Sequence, residues 1–141
     1  MSPRKLAAAA MLAAAVAAHA GDLTITVENV QSDDGQVMVG LFDSAASFPK
    51  QVARGRSVGA AQRDATGKIQ VVFAGLAPGT YAVSAFHDRD NSGKLNVNMI
   101  GVPSEPYGFS GKPAGRMGAP AFSDAAIQVP DTGAAISIEV K

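Results

Sequence analysis

The residues best placed to do chemistry are His87-Asp88-Arg89-Asp90-Asn91-Ser92-Gly93-Lys94-Leu95-Asn96. Oxygen-bearing side chains recur at alternate positions around one glycine, at the end of an apolar strand. A tight loop with that spacing can point several oxygens at one hard cation. Asp88, Asp90 and Ser92 match the first, third and fifth positions of an EF-hand-like loop, Gly93 the sixth and the Lys94 carbonyl the seventh. Met99 stands where the bidentate glutamate should close the shell, so Asn96, Asn98 or Glu105 would have to complete it. The competing expectation is an Asx-rich turn, in which Asp and Asn side chains bond nearby backbone N–H groups and Gly93 takes the left-handed dihedral. The metal expectation therefore names Asp88, Asp90, Ser92, Lys94 through its carbonyl, and Asn96, with calcium as the ion.

His87 is the second candidate. Alternation puts it on the strand face of Tyr81, Val83 and Ala85, opposite to Asp88, because strand neighbours point to opposite sides. An acid–base pair would need Glu105 or Asp124 brought in from elsewhere. That arrangement is the basis of an alternative reading, a small hydrolase or isomerase using His87 with Glu105. Gly108-Phe109-Ser110-Gly111-Lys112 is no nucleophile elbow, since Lys112 replaces the second glycine. Nor is it a phosphate loop, since Pro106 stands at that motif's first glycine.

Composition narrows the remaining classes. The absence of cysteine excludes thiol catalysis, iron–sulfur clusters and Cys-type zinc sites. Residues 1–20 read as a signal peptide: Arg4 and Lys5, an apolar run from Leu6 to Ala18, then Ala18-His19-Ala20 before Gly21. The run is short for a span, which takes roughly 20 apolar residues. Export to the periplasm or cell exterior is expected, with residues 21–141 forming one domain. That mature chain keeps His87 as its one histidine, too few for a multi-histidine zinc site. Ten basic residues oppose 12 acidic ones once Arg4 and Lys5 are removed. A nucleic-acid partner is not expected from that balance.

The elements that must position these residues read as strands. Leu23–Val27 and Ile69–Phe73 alternate with period two, and Val37–Phe42 forms a continuous apolar run. Gln31–Gly35 reads as a turn making the first and second strands a hairpin. Pro78-Gly79 reads as a type II turn sending Tyr81–Phe86 back along Ile69–Phe73, with Gly79 at positive φ. Ala125–Val129 and Ala134–Val140 complete six strands, and a seventh is expected near Leu95. The arginine-rich stretch 53–68 reads as a solvated loop. The fold class is all-β, an antiparallel β-sandwich of about seven strands. Residues 96–122, rich in Gly and Pro yet carrying apolar side chains, read as a long flap over one face. The Tyr81–Phe86 strand requires such a cover, because neither of its faces is polar.

Phe73-x-x-Leu76-x-Pro78-Gly79-x-Tyr81-x-Val83 resembles an element of transthyretin-like and carboxypeptidase-regulatory-like sandwiches. Taken with the His87–Leu95 stretch, Gly101-x-Pro103-x-Glu105-x-x-Gly108-Phe109-Ser110, Pro120-x-Phe122-x-Asp124-Ala125 and Gly35-x-Val37-x-Val39-x-Leu41-Phe42, it is similar to the bacterial domain of unknown function 2141 family. The resemblance implies an exported small sandwich of transthyretin-like or immunoglobulin-like topology and supplies no activity. The leading expectation is a non-enzymatic binding or structural module with an unidentified ligand or protein partner. A third expectation is assembly through exposed sheet edges such as Ala134–Val140.

Overall fold

A computed structural model describes residues 20–95, 99, 103–111 and 119–141. The leader expected over residues 1–20 lies, Ala20 apart, outside the described residues, as does Asn96. Eight strands form two sheets: β1 Gly21–Glu28, β2 Gln36–Phe42, β3 Arg54–Gly59, β4 Ile69–Leu76, β5 Gly79–Asp88, β6 Tyr107–Phe109, β7 Ile127–Val129 and β8 Ala134–Glu139. One sheet runs β4-β1-β8 and the other β3-β2-β5-β6, with β7 also paired to β5. All pairings are antiparallel except β1 with β8, which is parallel. A single helical turn, α1 Phe122–Ala125, precedes β7.

Alternation decides what each strand buries. Leu23, Ile25 and Val27 of β1, Val37, Val39 and Leu41 of β2, Ile69, Val71 and Phe73 of β4, and Val83 and Ala85 of β5 meet in one core between the sheets. Burial of apolar area at about 25 cal/mol per Å² is the main favourable term in a chain without disulfides.

The pairing of consecutive strands differs from the sequence expectation. β1 and β2 are no hairpin, because β1 pairs with β4 and β8 while β2 pairs with β3 and β5. Nor does β5 run back along β4; it lies in the opposite sheet. Both connections carry the chain from one sheet to the other. Packed sheets lie about 10 Å apart, and the β1–β2 connection crosses that gap with Val30 buried in the core on the way. The β4–β5 connection is a tight corner held by the Tyr81 hydroxyl, which donates to the Ala77 carbonyl at 2.6 Å. Gly75 (φ 69°), rather than Gly79, takes the left-handed dihedral there.

Leu95 itself lies outside any strand, and the residues that follow it lie outside the described ones; among the described residues the strands beyond the expected six are β3 and β6. β3 falls inside the stretch read as an arginine-rich loop. Its side chains are largely exposed, but Arg54 and Arg56 donate through Nη1 to the Ala74 and Val72 carbonyls of β4, at 2.9 and 2.8 Å. These arginines join the margins of the two sheets and occupy acceptors on an edge strand. Such acceptors otherwise invite pairing with another chain. The other margin is tied at its end, where Lys141 and Tyr107 exchange backbone hydrogen bonds.

Of the flap read over 96–122, residues 99, 103–111 and 119–122 are described. β6 extends the larger sheet beside β5, with Ser84 opposite Phe109 and Phe86 opposite Tyr107. Phe109 and Phe122 then pack with Phe48 over Phe42 and Ala82, on the outer face of that sheet.

Candidate functional site

β5 ends at Asp88, and the chain turns at once. Asn91 (φ 56°) and Gly93 (φ 83°) take left-handed backbone conformations that make the reversal tight. The Asp88 carboxylate is fully buried and accepts four hydrogen bonds. Oδ1 takes the Ser92 N–H at 3.1 Å and the Ser92 hydroxyl at 3.2 Å. Oδ2 takes the Gly93 N–H at 2.8 Å and the Gln36 side-chain amide at 2.8 Å. Burying a polar group is costly unless its hydrogen bonds are satisfied, as they are here. Gln36 is in turn approached by the Ser57 hydroxyl of β3, so a chain of polar contacts runs across three strands into the turn.

The expected ligands fall into two groups. Asp88 and Asp90 come together with Glu105: their carboxylate oxygens lie within 4.8 Å of one another. Glu105 is 6% exposed and accepts the Arg89 N–H at 2.8 Å, which fastens the β6 approach to the turn. Ser92 enters as a donor to Asp88 and Asp90, and its hydroxyl also lies 2.9 Å from the Lys94 carbonyl, inside the turn's own network. The turn thus has the Asx chemistry weighed against the cation, and it also gathers three carboxylates.

His87 is 1% exposed on the core face, as alternation predicts. Its Nε2 lies 2.7 Å from the Asp34 carbonyl, an acceptor, so this nitrogen carries the proton. The approach requires Gly35 (φ 67°), where an added Cβ would stand 2.1 Å from the Asp88 carbonyl oxygen. Among the described residues no carboxylate forms an ion pair with His87. Glu105 is turned to Arg89, and Asp124 lies in α1.

A family model described as "Uncharacterized protein conserved in bacteria (DUF2141)" matches residues 25–137. The chain belongs to that family. No curated protein and no solved structure matches it. Membership agrees with the blocks read from the sequence, and it leaves chemistry to be argued from geometry.

Geometry adds a second feature beside the turn. On the outer face of the larger sheet lies a cavity of about 660 Å³, lined by Met38, Phe42, Val52, Phe86, Tyr107 and Phe109 among others. Its floor follows from register. Gly55, Gly40 and Ser84 stand side by side on β3, β2 and β5, a row almost without side chains. Larger residues flank it: Met38, Phe86 and Tyr107 form the next row. Val52 rests on Gly40, where a Cβ would approach it to 2.6 Å, yet remains 50% exposed. Gly93, Lys94 and Leu95 wall one side, so the Asp88 turn shapes the cavity. This groove escaped sequence reading because cross-strand rows depend on register. Its trace was the apolar second face of β5. Gln36 left no local signal, since 52 residues separate it from Asp88.

Proposed function

We propose that this protein is an exported, non-enzymatic binding module whose ligand lies in the groove on the outer face of the larger sheet. One observation carries the reading: a cavity of about 660 Å³, lined mostly by apolar side chains, opens on the outer face of the larger sheet. Small-molecule sites commonly enclose roughly 300–1,000 Å³ and are lined mostly by apolar side chains. The basic n-region and Ala-x-Ala site at the N-terminus support placement outside the cytoplasm. His87 serves packing in this reading, holding the Asp33–Gly35 turn against the end of β5.

Nile red, a neutral apolar dye, tests the groove without bias toward charge. Saturable fluorescence enhancement is expected, lost in Val52→Asp while the melting temperature stays put. Absence of saturable binding in the wild-type protein overturns the proposal.

A second reading has its own observation, the convergence of Asp88, Asp90 and Glu105 within 4.8 Å. A calcium-type ion held there would neutralise like charges and stiffen the wall formed by Gly93–Leu95. At about 100 times its dissociation constant, such an ion adds roughly 2.7 kcal/mol. A midpoint rise of roughly 10 °C, abolished by Glu105→Gln, is expected under this reading. No shift at millimolar calcium leaves the turn to hydrogen bonding alone.

A further inference from the structure

The groove's charge is as selective as its shape. None of its described lining residues is an aspartate or glutamate, although acids outnumber bases in residues 21–141. Lys50 and Lys94 line it, and among the described residues neither forms an ion pair. Arg56 also lines it, but its guanidinium is engaged with the Val72 carbonyl. The lysines stand toward opposite ends of the trough. Lys94 follows the turn beyond Phe86 and Met38, and Lys50 adjoins Pro49 beside the Gly40–Phe42 end. Of the carboxylates gathered at the nearby turn, Asp88 and Glu105 are buried, while Asp90 is exposed and does not line the groove. An apolar trough with a lysine toward each end and no carboxylate among its described lining suits a single-chain apolar ligand bearing an anionic terminus. Cationic amphiphiles find no partner there.

On the binding reading above, we infer that the groove takes a long-chain carboxylate, a free fatty-acid anion, with its chain along Val52, Phe86 and Tyr107 and its head at Lys50 or Lys94. The two lysines act as positioning cations for the head, and the row of Met38, Phe86 and Tyr107 offers the chain an apolar surface.

Calorimetric titration of the purified protein with palmitate, hexadecanol and hexadecyltrimethylammonium tests this, each kept below its solubility or micellisation limit. Palmitate is expected to bind roughly five- to tenfold tighter than hexadecanol, the scale of one or two exposed ion pairs. The cationic amphiphile is expected to bind weakest. Lys50→Glu/Lys94→Glu should erase or reverse that order without moving the melting temperature, and the two single variants identify the end that holds the head. Equal affinity for palmitate and hexadecanol overturns the carboxylate preference while leaving the groove a binding site. Failure of all three, together with failure of Nile red, overturns the groove reading itself. Binding to anionic phospholipid vesicles without binding to free palmitate assigns the lysines to a membrane surface and overturns the inference. Concentration-dependent dimerisation that buries Val52 assigns the groove to a second copy and overturns it equally.

Discussion

The two faces of β5 are close in composition and opposite in fate. Val83, Ala85 and His87 point inward and are covered by a second sheet. Ala82, Ser84 and Phe86 point outward, and only the first is covered. Phe48 meets Phe42 edge to face at 5.0 Å, and Phe109 and Phe122 at 5.8 Å each, closing the outer face over Ala82. Beyond that aromatic knot Ser84 and Phe86 stay half-buried along the groove. Closure by a sheet follows strand register and covers every inward residue. Closure by a few rings covers only what the rings reach, and the remainder lines the groove.

The sharpest way to break this contrast is to truncate one residue on each side of β2. Leu41→Ala, in the fully closed face, is expected to cost ~3 kcal/mol, within the range of buried leucine truncations. Met38→Ala, at the groove, should cost under about 1 kcal/mol and weaken Nile red binding instead. Paired urea denaturation curves decide it, and equal losses would mean that both faces carry the fold alike. Asp88→Asn comes next. It replaces an oxygen that accepts Gly93 and Gln36 with a group that donates, so a loss of about 2 kcal/mol is expected. Ligand affinity should fall with it, because the Gly93–Leu95 wall is hung on that carboxylate. Unchanged affinity would show the wall to be held by something else.

How far the sequence discloses this contrast depends on the range of each interaction. Period-two alternation is local, so the strands at Leu23, Ile69 and Tyr81 and the inward placement of His87 are all legible. The oxygen-rich turn is legible for the same reason, since Asp88, Ser92 and Gly93 bond within a few residues of one another. Sheet membership is not. The turn residues at Gln31–Gly35 and Pro78–Gly79 serve a hairpin and a crossing between sheets equally well, and only distant partners decide between them. β3 was hidden by its own chemistry, because alternating arginines imitate a solvated loop until Val72 and Ala74 are brought alongside.

Those arginines supply a smaller test. Arg54→Ala/Arg56→Ala should cost about 1 kcal/mol of stability, since both side chains are largely solvent-exposed. Its clearer effect is expected in sedimentation velocity, where the uncovered β4 margin should produce concentration-dependent association. A variant that stays monomeric at high concentration would show that the edge is protected by other means.

The smallest effect is expected far from both faces, in the turn after β3. The Asp64 carboxyl is held below its ordinary value of 3.8, chiefly by the Thr66 hydroxyl and then by the backbone N–H groups of Lys68 and Thr66. A depressed carboxylate contributes stability above its unfolded value and loses it as pH falls through the folded one. Thr66→Ala should raise the Asp64 midpoint toward 3.8 in an NMR titration, with binding unaltered. A midpoint that does not move would assign the depression to the backbone donors.

The parallel pairing of β1 with β8 also sets the order of events when the chain is made. Leu23 sits beside Ala134 and Val27 beside Ile138, so the middle strand of the smaller sheet waits for a neighbour drawn from the far end of the chain. Contacts of such separation slow folding, because a large loop must close before they yield anything. During synthesis the first strand emerges long before its last partner exists. The smaller sheet is therefore completed late, only once the last strand of the chain has been made.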